Sequence, residues 1–181
     1  MFNKQKVVVV MPAYNAAKTL QITYDEVMAQ SLVDLIILVD DASSDQTVSI
    51  ARTMDKVKVH IHEKNMGYGA NQKSCYRLAL EEGAEIVIMV HPDYQYTPML
   101  IPAMVSMIGN GLYDCVLGSR ILGGYALRCT RRGCRRGITG FAWAPVGSSK
   151  APSHGHCSHW DFDLTLCVFD VMKQAPPAVS C

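Results

Sequence analysis

The chain has 181 residues and a formal net charge of +1, and 49% of its residues are hydrophobic. This length suffices for one domain with a core, and the apolar content excludes an intrinsically disordered chain. A net charge this close to zero gives no global field toward nucleic acid or a membrane surface. No apolar run approaches a membrane span and no signal-peptide pattern precedes the first run, so we expect a cytoplasmic protein.

Five short runs of apolar, mostly β-branched residues predict five buried strands. In chain order they span residues 7–11, 35–39, 57–62, 86–90 and 114–117. Pro12 directly follows the first of these runs, and Pro92 lies two residues after the fourth. Because proline has no backbone donor, we expect both strands to stop there. Segments of helical periodicity alternate with the runs, which predicts βαβ units and a mostly parallel sheet over residues 5–120.

Four helices are predicted between these strands. Asn15 is the expected N-cap of the first helix, and Ser44 or Asp45 is the expected cap of the second. The third helix is expected over residues 70–82, ended by Gly83, and the fourth over residues 98–108.

Seven cysteines are present, and only Cys75 and Cys115 lie within predicted regular elements. The other five all follow residue 128. Since no secretion signal is seen, we expect the first two to be reduced, partly buried thiols.

Polar clusters follow four of the predicted strands. They are residues 12–15, the pair Asp40 and Asp41, residues 65–69, and Asp93 with Gln95. Each cluster alone is explained by a turn or a helix cap. Together they predict a ligand site, because the carboxyl ends of parallel strands share one edge of the sheet. Carboxylates there suit a ribose hydroxyl, a base N–H or a divalent cation.

Several common nucleotide and hydrolase fingerprints are missing from the sequence. No G-x-G-x-x-G follows the first strand, and neither G-x-x-x-x-G-K-[ST] nor G-x-S-x-G occurs anywhere. The usual dinucleotide-binding, P-loop and α/β-hydrolase interpretations therefore have no support.

Five segments, "VVVVMPAYNAAKTL", "LIILVDDASSDQT", "NMGYGANQ", "VIMVHPDYQYTP" and "VLGSR", carry a family resemblance by their order and spacing. They resemble the N-terminal, nucleotide-sugar-binding half of family 2 glycosyltransferases, and are most similar to the polyprenyl-phosphate (dolichol-phosphate) sugar transferases. The resemblance covers residues 5–124. It implies an α/β domain of the GT-A (Rossmann-like) fold, with a mostly parallel central sheet and a truncated C-terminal part.

The resemblance also implies a donor-binding role for individual residues. Pro12, Tyr14 and Asn15 match the motif that flanks the nucleotide. Asp41, with Asp40 beside it, matches an acidic pair that contacts the base or ribose.

Three further positions match residues near the donor phosphates and the metal. Asp93 matches the second aspartate of the D-x-D metal motif, Gln95 the glutamine that follows it, and Arg120 an arginine near the phosphates. His91 replaces the first aspartate of D-x-D. Imidazole ligates Mn²⁺ but suits Mg²⁺ poorly; alternatively, His91 only caps the end of the strand.

The function implied is inverting transfer of a sugar from a nucleoside-diphosphate sugar, assisted by Mg²⁺ or Mn²⁺. The implied acceptor is a polyprenyl phosphate or another glycan acceptor at the inner face of the membrane, with peripheral membrane contact and no nucleic acid. A non-catalytic nucleotide-sugar-binding fragment without the acceptor half is the alternative. A sugar nucleotidyltransferase would need a phosphate loop rich in glycine and basic residues, which "MPAYNAAKT" does not provide.

The segment 125–181 differs in composition from the domain expected over residues 1–124. No acidic residue lies between Asp114 and Asp161, and arginines cluster around residues 128–136. We interpret this tail as a frameshifted, fused or disordered segment, which resequencing of the source gene tests. Because nothing from Tyr125 onward carries the resemblance, the catalytic residues, including the general base, stay unknown.

Three other expectations concern the tail and the sheet edge. Its cysteines and histidines fit no zinc spacing, and its arginines have no aromatic residues between them for nucleic-acid binding. The possible zinc ligands are Cys129, Cys134, His154, His156, Cys157 and His159. An open strand edge near Leu117 would favour a homodimer.

Overall fold

The computed structural model describes residues 1–94, 96–118, 141–142 and 170–173. The strands are β1 (Val7–Ala13), β2 (Leu35–Asp40), β3 (Val57–Ile61), β4 (Ile86–Met89), β5 (Cys115–Gly118), β6 (Phe141–Ala142) and β7 (Asp170–Lys173). The helices are α1 (Leu20–Ala29), α2 (Thr47–Ala51), α3 (Tyr68–Glu81) and α4 (Ile101–Gly109), with a 3₁₀ turn at Pro98–Leu100.

One sheet contains all seven of these strands, in the order β3-β2-β1-β4-β7-β5-β6. β1 pairs in parallel with both β2 and β4, and β2 pairs in parallel with β3. The pairings of β7 with β4 and β5, and of β5 with β6, are antiparallel. The predicted α/β architecture with parallel central strands is confirmed, and the carboxyl ends of β1, β2, β3 and β4 lie at one edge.

β1 is the centre of the core. Val7 and Val9 belong to the apolar cluster that includes residues of α1 and α4, whereas Val8 and Val10 belong to the cluster that includes residues of α3. Because helices cover both faces of the sheet, both sets of alternating side chains are apolar. This explains why the strand appears in the sequence as an uninterrupted run of valines.

Pro12 does not end β1, contrary to the prediction. The carbonyl of Val10 accepts from Val90 on the β4 side, and the carbonyl of Ala13 accepts from Asp41 on the β2 side. Because the backbone groups of successive strand residues point to opposite sides, the backbone nitrogen of Pro12 points toward β4. Val10 is the last β1 residue paired with β4, opposite Met89. The missing N–H of Pro12 thus costs no hydrogen bond in the ladder.

The predicted helix starts need three corrections. Asn15 is not the N-cap of α1, which begins only at Leu20, after Thr19. At α2 the N-cap is Gln46, although Asp45 Oδ1 accepts the Thr47 N–H at 2.9 Å. α3 begins at Tyr68, two residues earlier than predicted, because Gly67 takes a positive φ of 82° and turns the chain directly into the helix.

Short parts of the tail belong to the same sheet. Leu117 in β5 pairs with Ala142 in β6 and with Asp170 in β7. These pairings contradict the open strand edge near Leu117 on which the homodimer prediction was based. Gln95, Arg120, the possible zinc ligands and the arginine cluster lie outside the described residues.

Within the described part of the chain, no helix combines the length and apolar content that a bilayer crossing requires.

Candidate functional site

A cavity of about 180 Å³ lies at the carboxyl-terminal edge of the sheet, beside the first turn of α3. It is lined by Pro12, Ala13, Tyr14, Asp41, Asn65, Gly67, Tyr68 and Asn71. The ends of β1 and β2, the loop after β3 and the start of α3 all contribute. Of the four polar clusters predicted to meet at this edge, three contribute residues to the cavity, and Asp93 with Gln95 does not line it.

Asp41 connects the end of β2 to the loop that follows β3. Its Oδ1 accepts from His62 Nδ1 at 2.8 Å and from the Met66 N–H at 2.8 Å. Its Oδ2 accepts from the Gly67 N–H at 2.9 Å. The side chain is buried, and it fixes the backbone of the loop that forms one wall of the cavity.

The pKa of Asp41 lies below its ordinary value. Burial by itself raises the pKa, but the hydrogen bonds from His62, Met66 and Gly67 favour the ionised form and outweigh it. The carboxylate is therefore charged at neutral pH, and His62 Nδ1 must carry the proton between them.

His62 Nε2 is 2.9 Å from Ser74 Oγ on α3. Asp41, His62 and Ser74 thus have the order of contacts of a hydrolase triad. However, neither His62 nor Ser74 lines the cavity, so we assign both to fixing Asp41 rather than to covalent chemistry.

Asp40 has a different role from its neighbour. Its side chain is completely buried. Its Oδ2 accepts from the Ser43 N–H at 2.8 Å and its Oδ1 accepts from Ser43 Oγ at 2.5 Å. These contacts hold the turn after β2, and they leave Asp40 out of the cavity wall.

The two residues after β1 have different roles: Tyr14 lines the cavity, and Asn15 holds a turn. Tyr14 is 56% exposed and lines the cavity. Asn15, at a φ of 50°, accepts the Ser44 N–H through Oδ1 at 2.9 Å, while its own N–H donates to Ser43 Oγ at 2.8 Å. Asn15 therefore joins the turns after β1 and β2 and does not line the cavity.

His91 follows β4 and stacks against Tyr68 of α3. Their ring centroids are 5.4 Å apart, and Tyr68 Oη is 3.2 Å from His91 Nε2. Burial lowers the pKa of His91, and the nearby charge of Asp93 opposes this shift only in part. The imidazole is thus neutral at pH 7, and its Nε2 contacts Tyr68 Oη.

A divalent cation could use only a small set of protein ligands here. Among the described residues, no three His, Cys, Asp or Glu side chains are grouped as a metal site would require. Asp93 is exposed at the same edge of the sheet as the cavity. One carboxylate fits Mg²⁺ or Mn²⁺ when substrate phosphates and water complete the coordination. Asp93 could contribute such a carboxylate, whereas His91 Nε2 is already in contact with Tyr68 Oη.

Sequence reasoning did not assign Asn71 or His62 to the site. Asn71 is buried within α3, and its Nδ2 donates to the carbonyls of Val39 at 3.0 Å and Ala13 at 3.5 Å. A polar residue at a core-facing helical position was the available signal for Asn71. His62 follows an alternating strand, and nothing in its spacing indicated Asp41 as its partner.

Residues 8–149 match the family model for Glycosyl transferase family 2. The chain belongs to this family. The match confirms the resemblance seen in the sequence and extends it beyond residue 124, into the segment 125–181 where the sequence motifs predicted none.

Curated relatives include polyprenyl-phosphate sugar transferases. The chain is 30% identical over 128 residues to UDP-N-acetylglucosamine–dolichyl-phosphate N-acetylglucosaminyltransferase of Methanococcus voltae, covering 62% of this chain and 51% of the relative. It is 30% identical over 124 residues to dolichol-phosphate mannosyltransferase of Pyrococcus furiosus, covering 66% and 34%. The chain thus spans about half the length of these relatives or less.

Solved structures share the fold. Glucosyl-3-phosphoglycerate synthase from Mycobacterium tuberculosis, in complex with Mn²⁺, uridine diphosphate and phosphoglyceric acid, gives a TM-score of 0.52 at 22% identity, covering 70% of this chain and 46% of that one. A mannosyltransferase from Pyrobaculum calidifontis in complex with GDP-Man and Mn²⁺ gives 0.51 at 20% identity, covering 61% and 34%. The expected GT-A fold is confirmed.

Proposed function

We propose that this chain is the donor-binding part of an inverting glycosyltransferase, with a nucleoside-diphosphate sugar as donor and a polyprenyl phosphate as acceptor. The observation that carries the proposal is the cavity at the carboxyl ends of β1 and β2, lined by Tyr14, Asp41 and Tyr68. Family membership and the names of the relatives favour this donor and acceptor class. We expect a cytoplasmic chain with peripheral membrane contact, since a polyprenyl acceptor is anchored in the membrane.

The cavity suits one end of the donor. Its volume of about 180 Å³ is smaller than that of a complete ligand pocket, roughly 300–1,000 Å³. We assign the nucleoside to it. The exposed ring of Tyr14 offers a face for a base, and Asp41 retains acceptor capacity for a base N–H or ribose hydroxyl, because its three protein donors leave about one of four lone-pair positions.

The diphosphate then extends toward the end of β4. Asp93 would hold a divalent cation there together with the diphosphate oxygens. Bound in this way, the cation would stabilise the negative charge of the departing diphosphate. We also propose that Gln95 and Arg120 lie near the donor phosphates.

The acceptor phosphate supplies its own nucleophile. A phosphate monoester is mostly dianionic at pH 7, because its second pKa is about 6. One of its oxygens attacks the anomeric carbon from the face opposite the diphosphate, the new C–O bond forms as the old one breaks, and the configuration inverts. The protein then has to orient the two substrates, without removing a proton from the attacking oxygen.

Isothermal titration of the full chain with UDP and GDP, with and without Mn²⁺, tests the donor site. We expect one nucleotide to bind more tightly with Mn²⁺, and Asp93→Ala to abolish the Mn²⁺ effect. Asp55→Ala, at an exposed carboxylate that precedes β3 and does not line the cavity, is the matched control and should bind like the wild type. Binding of neither nucleotide would overturn the proposal.

A turnover assay with the corresponding nucleotide sugar and a polyprenyl phosphate separates the two forms of the proposal. Transfer with inversion supports the complete enzyme. Donor binding without transfer supports a nucleotide-sugar-binding fragment.

A further inference from the structure

The turn that carries Asp93 has an unusual backbone. Tyr94, the next residue, has a φ of 58°. A bulky residue other than glycine is rare in this left-handed region, and it persists there only when surrounding contacts hold it. The contacts of this turn therefore show what maintains it.

Helix α1 supplies those contacts from two residues one turn apart. Tyr94 Oη donates to Glu26 Oε1, and Thr97 Oγ1 donates to Glu26 Oε2 at 3.4 Å. Thr23 Oγ1 reaches the carbonyl of Pro92 at 3.4 Å, in addition to its own helix carbonyl of Thr19 at 3.0 Å. Both oxygens of Glu26 thus face the turn, and Thr23 contacts it from the preceding turn of the same helix face.

Asp93 lies between the two anchored positions. Pro92 before it is contacted by Thr23, and Tyr94 after it is contacted by Glu26. The first contact holds the peptide plane before Asp93, and the second holds the ring of the residue after it, so together they limit the direction in which the Asp93 side chain leaves the backbone. Loss of Glu26 removes one of the contacts that hold Tyr94, which favours relaxation toward negative φ and rotation of the neighbouring peptide planes, including that of Asp93.

We propose that Glu26 is a positioning residue, which holds the Asp93 carboxylate in the direction needed to bind a divalent cation with the donor diphosphate. This inference rests on the proposed function. It adds a residue of α1, outside the edge of the sheet, to the machinery of the site. Nothing in the spacing of α1 indicates this role, because Glu26 looks like an ordinary surface charge next to Asp25.

The test compares four single variants and one double variant of the full chain by titration with the nucleotide that the wild type binds, over a range of Mn²⁺ concentrations. Glu26→Ala and Tyr94→Phe each remove the same hydrogen bond. Glu26→Gln keeps it, because the amide oxygen can accept from Tyr94 while the amide nitrogen donates to Thr97. Asp25→Ala removes an exposed neighbour whose partner, Gln21, lies on its own helix.

Glu26→Ala and Tyr94→Phe should raise the Mn²⁺ concentration for half-maximal effect by about tenfold, the lower end of the usual loss for residues that orient a metal ligand. Nucleotide affinity without Mn²⁺ should not change. Glu26→Gln and Asp25→Ala should behave like the wild type. The double variant should match Glu26→Ala, because Tyr94→Phe removes a contact that Glu26→Ala has already removed.

Hydrogen exchange of the Tyr94 and Tyr96 amides, measured without ligand, provides the independent readout. Faster exchange in Glu26→Ala than in Asp25→Ala supports the anchoring even if the wild type binds no nucleotide and the proposed function fails. Unchanged exchange overturns it. If the wild type binds nucleotide with Mn²⁺ and Glu26→Ala has the same Mn²⁺ dependence, the positioning role is wrong while the donor site stands. Wild-type binding that ignores Mn²⁺ also overturns the positioning role.

Discussion

Replacing Asp41 by asparagine should destabilise the protein, although the two side chains have the same shape. The carboxylate accepts three hydrogen bonds in a buried position. If the asparagine oxygen replaces Oδ1, its NH₂ group faces the Gly67 N–H. That N–H keeps a second acceptor, Asn65 Oδ1 at 3.0 Å. One hydrogen bond is therefore lost, and two lose their charged acceptor.

The magnitude follows from these three changes. A hydrogen bond to a charged group contributes about 1.5–3 kcal/mol and a neutral one about 0.5–1.5 kcal/mol, so each of the two weakened bonds loses about 1 kcal/mol. Loss of the third adds about 1 kcal/mol. We expect Asp41→Asn to lower the free energy of unfolding by about 2–4 kcal/mol. Asp41→Ala should cost more, because it leaves all three donors without this acceptor.

Urea unfolding followed by circular dichroism measures this effect. With a slope of about 2 kcal/mol/M, the middle of the usual range, the expected loss moves the midpoint by roughly 1–2 M. Asp55→Asn, at an exposed site, should stay within about 0.5 kcal/mol of the wild type. An Asp41→Asn variant as stable as Asp55→Asn would refute the role of Asp41 in holding the loop after β3.

The difference in unfolding free energy between the wild type and Asp41→Asn should depend on pH. Because folding lowers the pKa of Asp41, its charged form stabilises the protein above its ordinary pKa of 3.8, and this contribution is lost as the pH falls through the folded value. The stability difference between the wild type and Asp41→Asn should therefore be full at pH 6 and shrink below pH 3.8. A difference that stays constant into that acidic range would contradict the assignment of charge.

Three further predictions concern other residues. Tyr14→Ala should weaken nucleotide binding, whereas Tyr14→Phe should retain it. Neither should change the melting temperature much, because the ring is 56% exposed. Equal binding by both variants would argue against a base-stacking role. Burial raises the pKa of Cys75 to about 12, so its thiol should resist iodoacetamide at pH 8 until the chain unfolds. Peptide mapping measures the labelling, and rapid labelling of Cys75 in the native protein would contradict this prediction. Ile88→Ala in β4 should lower the free energy of unfolding in urea by about 2–5 kcal/mol. Ile22→Ala on α1 should lower it much less, because Ile22 is 47% exposed. Similar losses for both variants would mean that β4 is not central to the core.

The valine run of β1 and the apolar runs of β2 and β4 were sufficient to predict the parallel centre of the sheet. Strands buried on both faces need no alternation of apolar and polar residues, so burial itself is visible in one sequence. The polar residues after these runs located the edge where the cavity lies. The clusters that contain Tyr14 and Asp41 could be located in this way because the carboxyl end of a strand is defined by local sequence.

What Asp40 and Asp41 do could not be read from their adjacent positions. Successive residues at the end of a strand point in opposite directions, and only the packing of the following loop decided that Asp41 reaches the cavity while Asp40 is buried against Ser43. The left-handed backbone of Tyr94 and its anchor on Glu26 were equally hidden, because 68 positions separate the two residues along the chain. The sequence by itself determined which segments form strands and where polar chemistry gathers, since both depend on local burial. The tertiary structure alone decided which polar side chain faces a ligand and which one supports it, since that depends on contacts between distant segments.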